Sequence, residues 1–392
     1  MRPINYLLSF ALACFVSSAA FAQSSTPNQK FVPVEGATLP AKMESAARLG
    51  GTGAQAGRFW TAYGFDVRPG VAVDFEVVND DGSRNIFSGS SVSFSGSSVF
   101  SVGSSIETRN LGIFLLRTPD TGAIVRVEVY NLERKHEYGN YPVYWLGRAN
   151  NEESLTLLRG LVESNRSEDV AEAATRAIAL HDDRRVAELL ETFARAANFQ
   201  DVRSQAITWL GRTPPTTPAR QAFFAELARN EREGQEIRKR AISAFGLSQD
   251  AATLSTLLAL YDTISPVELK KTVLNAIANS DSREAVNFLI KVARSDGDAG
   301  MRKKALNFLG NKAGEQSLAV LTGTVEQADA ETEVQKQAVF ALSRRPNDEA
   351  VPLLLKVART HRKPEVRKEA LRLLGRTGDE RALELFRELL AK

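Results

Sequence analysis

Pro364-Glu365-Val366-Arg367-Lys368-Glu369-Ala370-Leu371-Arg372-Leu373-Leu374-Gly375 is the stretch that decides the fold. Counted from Val366, it has an apolar residue first, a basic one second, Ala fifth, an apolar residue ninth and a small one tenth. The first, fifth and ninth positions share one face of a helix. The same phrase begins at Val170, Val202, Ile237, Leu269, Met301, Val334 and Val366, at intervals of 32, 35, 32, 32, 33 and 32. Its fifth residue is Ala in every unit except one, where Val273 stands. Its tenth is Ala179, Gly211, Gly246, Ala278, Gly310, Ser343 and Gly375. Ala at the centre lets a neighbouring helix approach closely, and Gly at the end suits a left-handed helix cap.

A short polar turn and a second amphipathic segment follow each phrase, as in Val186 to Ala196, Ala285 to Arg294, Val351 to Arg359 and Ala382 to Leu390. Each unit is thus a predicted helix pair. One pair cannot bury its own apolar face, so the pairs must stack. The long interval carries Pro214, Pro215 and Pro218, which predicts a longer turn there. Leu146-Gly147 lies one interval before Ile178-Ala179, so the array is expected to start near residue 141 and run to 392. The fold class expected is mainly α, a right-handed α-solenoid preceded by a small β-rich module.

The phrases Asp201-Val202-Arg203, Ala206-Ile207, Leu210-Gly211 and their counterparts at 364–375 resemble HEAT repeats, in the short bacterial form also found in phycobilisome-lyase-like proteins. The resemblance covers about residues 141–392. It implies a binding scaffold, since arrays of this kind serve many unrelated partners.

Residues 46–140 read differently. Phe59 to Val67 is aromatic and β-favouring, Arg68-Pro69-Gly70 suits a type II turn, and Val71 to Val77 is a further strand. Leu111 to Leu116, the Pro119-Asp120-Thr121-Gly122 turn and Ile124 to Leu132 predict a hairpin. Met43 to Leu49 reads as a helix, and Gly51 to Gly57 as a flexible linker. Residues 88–105 hold ten Ser and three Gly, expected as a mobile loop or weak edge strands.

The first 22 residues form an address. Arg2, the apolar run Tyr6 to Val16 and the small-residue site Ala20-Phe21-Ala22 make a secretory signal, with cleavage expected after Ala22. Residues 23–45 are expected to be a flexible leader. The single Cys, Cys14, lies inside the signal, so the mature chain depends on its core alone. A periplasmic or secreted location is expected, and no segment is long and apolar enough to span a membrane.

Chemistry is scarce. Lys+Arg number 50 against 47 Asp+Glu, so no overall field draws nucleic acid. Deoxyhypusine hydroxylase, an enzyme with HEAT arrays, binds iron through repeated His-Glu pairs. Here one such pair, His136-Glu137, stands outside the repeat phase, and His181 and His361 lie alone. No nucleophile elbow, dinucleotide loop or calcium loop is present. No catalytic residue, metal ligand or cofactor is expected.

Two columns remain. The second position of the phrase is basic in five units: Arg203, Arg238, Lys270, Arg302 and Arg367. The third is Lys in five consecutive units: Lys239, Lys271, Lys303, Lys336 and Lys368. At roughly 10 Å per layer these lysines would form a row of about 40 Å. The Arg column belongs to the resembling phrase, where Arg bonds a neighbouring turn. The Lys column needs no such role and, with the Arg column beside it, is a candidate basic ridge for an acidic protein, an anionic glycan or an anionic lipid surface. A second candidate surface is the aromatic set Trp60, Tyr63, Phe65, Tyr141, Tyr144 and Trp145, most of it expected in the core. The function expected is an exported, non-enzymatic, protein-binding scaffold. Alternatives are an accessory subunit or lyase-like enzyme, and a cell-wall glycan binder.

Overall fold

The computed structural model describes residues 31–51, 57–73, 76–78, 84–86, 92–94, 110–164, 166–214, 216–248, 250–312, 314–328 and 330–391. The signal sequence, residues 23–30 of the leader, most of the 51–57 linker and most of the Ser/Gly stretch lie outside them. The chain divides into two compact units, residues 1–186 and 187–392.

The first unit contains, in order, β1 (Val32–Pro33), α1 (Leu39–Gly51), β2 (Phe59–Gly64), β3 (Val71–Val73), β4 (Glu76–Val78), β5 (Arg84–Ile86), β6 (Val92–Phe94), β7 (Leu111–Arg117), β8 (Ile124–Asn131), β9 (Val143–Arg148), α2 (Asn151–Glu163) and α3 (Glu168–Ala179). Five strands form one sheet in the order β1-β9-β2-β7-β8. The expected hairpin is β7 and β8, antiparallel with Phe114 opposite Glu128. Gly122, at φ +65°, closes its turn. The turn expected at 68–70 also forms, with Gly70 at φ +78°. Strand β3 leads from it to pair with β6, inside the Ser/Gly stretch.

Two expectations fail in this unit. Val143-Tyr144-Trp145-Leu146 is not a repeat helix but strand β9, parallel to β2 with Trp60 opposite Val143. Its β-branched and aromatic residues complete the sheet between β1 and β2, and that pairing outweighs the resemblance of Leu146-Gly147 to the phrase. The helical part therefore starts at α2, where Asn150 accepts from the Glu153 amide. Nor are residues 31–45 a flexible leader. β1 pairs with β9, and α1 buries Leu39, Met43, Ala46 and Gly50. Those four positions recur at helical spacing, and Gly50 lies against the Phe59 ring. Glu153 accepts the Leu39 amide at 3.0 Å, Lys42 Nζ donates to the Leu146 carbonyl at 2.8 Å, and buried Arg117 donates to the Met43 carbonyl at 2.7 Å. The helix expected at 43–49 is thus present, and longer.

The second unit continues with α4 (Arg185–Ala196), which begins at the boundary, then α5 (Gln200–Gly211), α6 (Pro218–Arg229), α7 (Gln235–Phe245), α8 (Ala251–Thr263), α9 (Val267–Ala278), α10 (Arg283–Ser295), α11 (Ala299–Gly310), α12 (Glu315–Glu326), α13 (Thr332–Leu342), α14 (Asn347–Thr360), α15 (Pro364–Leu374) and α16 (Glu380–Leu390). The seven phrases lie on the odd helices from α3 to α15. Their first, fifth and ninth residues are all buried, for example Val202, Ala206 and Leu210. From α5 onward the helices make consecutive solenoid pairs in two layers, and the odd helices pack on one another more closely than the even ones do, except between α9 and α11. The long interval falls between α5, which ends at Gly211, and α6, which begins at Pro218.

The glycine at the tenth position works differently from expectation. Gly246 and Gly375 end their helices at φ −70° and −62°, right-handed values. The reason for Gly is proximity. A Cβ on Gly211, Gly246 or Gly310 would stand 2.5–2.7 Å from an atom of Ala244, Ala276 or Ala341 on the next odd helix. Each of those alanines is the eighth residue of the following phrase, so three of the contacts between successive odd helices in this unit are Gly against Ala.

Candidate functional site

The Arg column is built into the array. Each of its four arginines bonds a carbonyl at the C-terminal end of the helix before it, groups that a helix leaves without internal partners. Arg203 Nε donates to Ala194 at 3.0 Å and its terminal nitrogens clasp Glu233 at 3.0 and 2.7 Å. Arg238, buried, donates to Ala228 at 2.9 Å. Arg302 and Arg367 donate to Asp296 and His361 at 2.8 and 2.7 Å. Lys270 pairs with Asp296 at 3.7 Å and lies over the Tyr261 ring. In the one unit of the second half without a basic residue here, Gln335 donates to the Val325 and Gln327 carbonyls.

The Lys column stands on one position of five successive odd helices. Lys271 and Lys336 each pair with an acid three residues earlier, Glu268 at 2.8 Å and Glu333 at 2.9 Å. Those bonds hold both ammonium groups above the usual lysine range. Lys239, Lys303 and Lys368 form no ion pair among the described residues. Their surroundings divide the row. The Lys271 hydrogen bond, then its charge and those of Lys239 and Lys304, pull the Glu268 carboxyl below its usual range, and Asp298 also acts on Lys271, so three lysines meet two acids there. Lys336 instead feels Glu369 and Glu365 as well as Glu333. The positive excess therefore sits on α7, α9 and α11. Lys304 is an addition that the column did not include. It lies over the Phe308 ring, and burial followed by the Lys271 charge pushes its ammonium down. The doublet Lys303-Lys304 was its signal in the sequence.

The histidines hold structure together. His181 is fully buried, with Nε2 2.8 Å from Ser154 Oγ and Nδ1 2.9 Å from the Ala177 carbonyl. Ser154 in turn meets the Tyr63 hydroxyl at 3.1 Å. With Nδ1–H donating to Ala177, the chain runs from the Tyr63 hydroxyl through Ser154 Oγ to His181 Nε2. Burial lowers the His181 pKa to about 4 and raises that of Tyr63. A Ser–His pair resembles a nucleophile and its base, but all three residues are closed off from solvent and tie β2 to α2 and to the end of α3. His136 lies 3.0 Å from the Asn131 carbonyl and stacks on Tyr130, and His361 lies 3.0 Å from the Val325 carbonyl. Among the described residues no three His, Cys, Asp or Glu side chains gather as metal ligands.

Of the aromatic set, Trp60, Tyr63 and Phe65 are core residues. Trp145 is half-buried against Phe31 and Tyr144 against Phe59, while Tyr141 is exposed. Tyr63 and Trp60 point to opposite faces of β2, so the set does not form one surface.

The family model described as HEAT repeats matches residues 324–392, which hold α13 to α16. No curated protein matches the chain. Among solved structures, similarity is found to the complex of CpcE and CpcF of phycocyanin lyase from Nostoc, with 19% identity, 50% of this chain and 79% of that chain covered, and a TM-score of 0.33. Human deoxyhypusine hydroxylase matches with 17% identity over 60% of this chain and 88% of that one, at a TM-score of 0.27. Kap95p bound to RanGDP matches with 14% identity over 56% of this chain and a TM-score of 0.39, and the present chain spans only 36% of its length. Among the described residues no helix is long and apolar enough to cross a membrane. The last units match that family model, and the earlier ones carry the same phrase on the same helices: the helix pairs are HEAT repeats.

Proposed function

We propose that this chain is an exported, non-enzymatic scaffold that holds an acidic protein partner on the lysines of its odd helices. The observation that carries this is the imbalance on α7, α9 and α11, where Lys239, Lys271 and Lys304 act on Glu268 with Asp298 as the second acid beside Lys271, and Lys303 has no ion-pair partner among the described residues. Structural need explains the Arg column, since it bonds helix ends. It does not explain the lysines. Export rests on Arg2, the apolar run Tyr6 to Val16 and Ala20-Phe21-Ala22.

The test compares the mature chain with a variant carrying Lys239, Lys271, Lys303, Lys336 and Lys368 as Glu, in cross-linked pull-downs from the periplasmic fraction. A partner captured by the native form, lost from the folded variant and released by salt supports the reading. Equal capture by both forms would defeat it. Recovery of a mature chain starting at Gln23 from the periplasm or medium tests export.

A further inference from the structure

The α5–α6 turn is the longest within a pair of this unit, and α6 is set beside a groove. Pro218, Gln221, Ala222, Ala225 and Arg229 form one continuous face of α6, and Ala252, Thr253 and Thr256 face them from α8 across a cavity of about 460 Å³ floored by Phe245. The cavity follows from side-chain size. Ala225 is the eighth residue of α6, where α8 and α10 carry Leu258 and Ile290. A methyl group leaves open what a larger side chain would fill.

We infer that this groove binds an extended peptide segment of a partner protein, with short apolar side chains and an acidic residue at the Arg229 end. Length argues for a chain. From Pro218 to Arg229 an α-helix advances about 16 Å, the span of about five extended residues. A volume of 460 Å³ spread over that length leaves room for one main chain and small side chains. The wall argues for a peptide. Gln221 Oε1 is buried with no hydrogen-bond partner among the described residues. Thr256 gives its hydroxyl proton to the Ala252 carbonyl at 3.0 Å, and Thr253 gives its own to Asp250 at 2.9 Å. Gln221 Oε1 and Thr253 are buried in the wall, and Thr256 Oγ1 is left as an acceptor on the groove, which suits a main-chain N–H donor. The Phe245 and alanine floor suits apolar side chains, and Arg229, without an ion pair among the described residues, suits a carboxylate. The groove is walled by α6 and α8 over Phe245 of α7, and none of the row's lysines lines it.

The test is fluorescence polarisation of the mature chain with fluorescein-labelled heptapeptide pools, each with one position fixed as Asp, Lys or Val. Saturable binding with a preference for Asp at one position is expected. Ala225→Leu, a residue the fold already accepts at 258, should weaken it at least tenfold, with circular dichroism unchanged. Arg229→Glu should turn the preference from Asp to Lys. The five-lysine variant should bind as the native chain does. If no pool saturates, or if Ala225→Leu binds unchanged, the groove is not a peptide site. If acetyl-Val-Asp amide binds as tightly as the heptapeptides, the cavity takes a small molecule and the inference fails. If the five-lysine variant loses the peptides, they ride on the basic row, which leaves the scaffold reading standing and the groove empty of a role.

Discussion

A Cβ built on Gly246 would lie 2.5 Å from the Cβ of Ala276 and 3.1 Å from its Cα. Two odd helices thus touch at backbone distance, and the contact has no room for one methyl group. Gly246→Ala is expected to destabilise the chain by about 1–3 kcal/mol through overpacking. Gly323, in α12, has open space at the same test, so Gly323→Ala should instead stabilise by about 0.5–1 kcal/mol. Urea unfolding of the two variants checks the contrast, and equal effects would remove the close-approach explanation.

His181 makes stability depend on acid. Its pKa is about 4 when folded against 6.5 for the free side chain, so the unfolded chain binds the proton first. The neutral form is fully favourable above pH 6.5, and its contribution is lost as pH falls from 6.5 towards 4. That loss is about 3 kcal/mol at the low end. His181→Gln should cost stability at pH 7.5, and its deficit against the native chain should shrink by pH 4.5. A deficit constant with pH would show that His181 titrates normally.

Adjacent residues of one phrase should behave oppositely. Arg238 donates to the Ala228 carbonyl from a buried position, so Arg238→Met should lower stability by about 1–3 kcal/mol through the orphaned carbonyl. Lys239 forms no ion pair among the described residues, and Lys239→Glu should leave the thermal midpoint within a degree or two. Paired melting curves measure both.

The segment before the first long strand is structural. Ala46 is fully buried on α1, so Ala46→Asp should cost about 3 kcal/mol or more by burying an unpaired carboxylate. An unchanged urea midpoint would return α1 to the status of a detachable leader.

The helical array was legible because its signal is periodic: the first, fifth and ninth residues of seven phrases predicted seven helices and their buried faces. The β7–β8 hairpin was legible for a similar reason, alternation around a Pro-to-Gly turn. β9 was not. Tyr144-Trp145-Leu146-Gly147 matches Thr208-Trp209-Leu210-Gly211 letter by letter at its end, yet one is strand and the other helix, because strand β2 stands beside only the first. α1 was seen only in part, since the partners that hold it, Glu153, Leu146 and Arg117, lie far along the chain.

The two basic columns show the same division. The sequence by itself determined that arginines and lysines recur at adjacent positions of successive helices, and that the pairs must stack to bury their faces. Only the tertiary structure decided what each column does. It brings the four arginines to carbonyls at the ends of preceding helices, and it brings Lys239, Lys271 and Lys304 within electrostatic reach of Glu268, with Asp298 acting on Lys271 as well. It also opened the groove beside Ala225, for the width of a gap depends on both walls, and one wall is another helix. Periodicity along a chain fixes which face is buried; distances across the fold fix what that face meets.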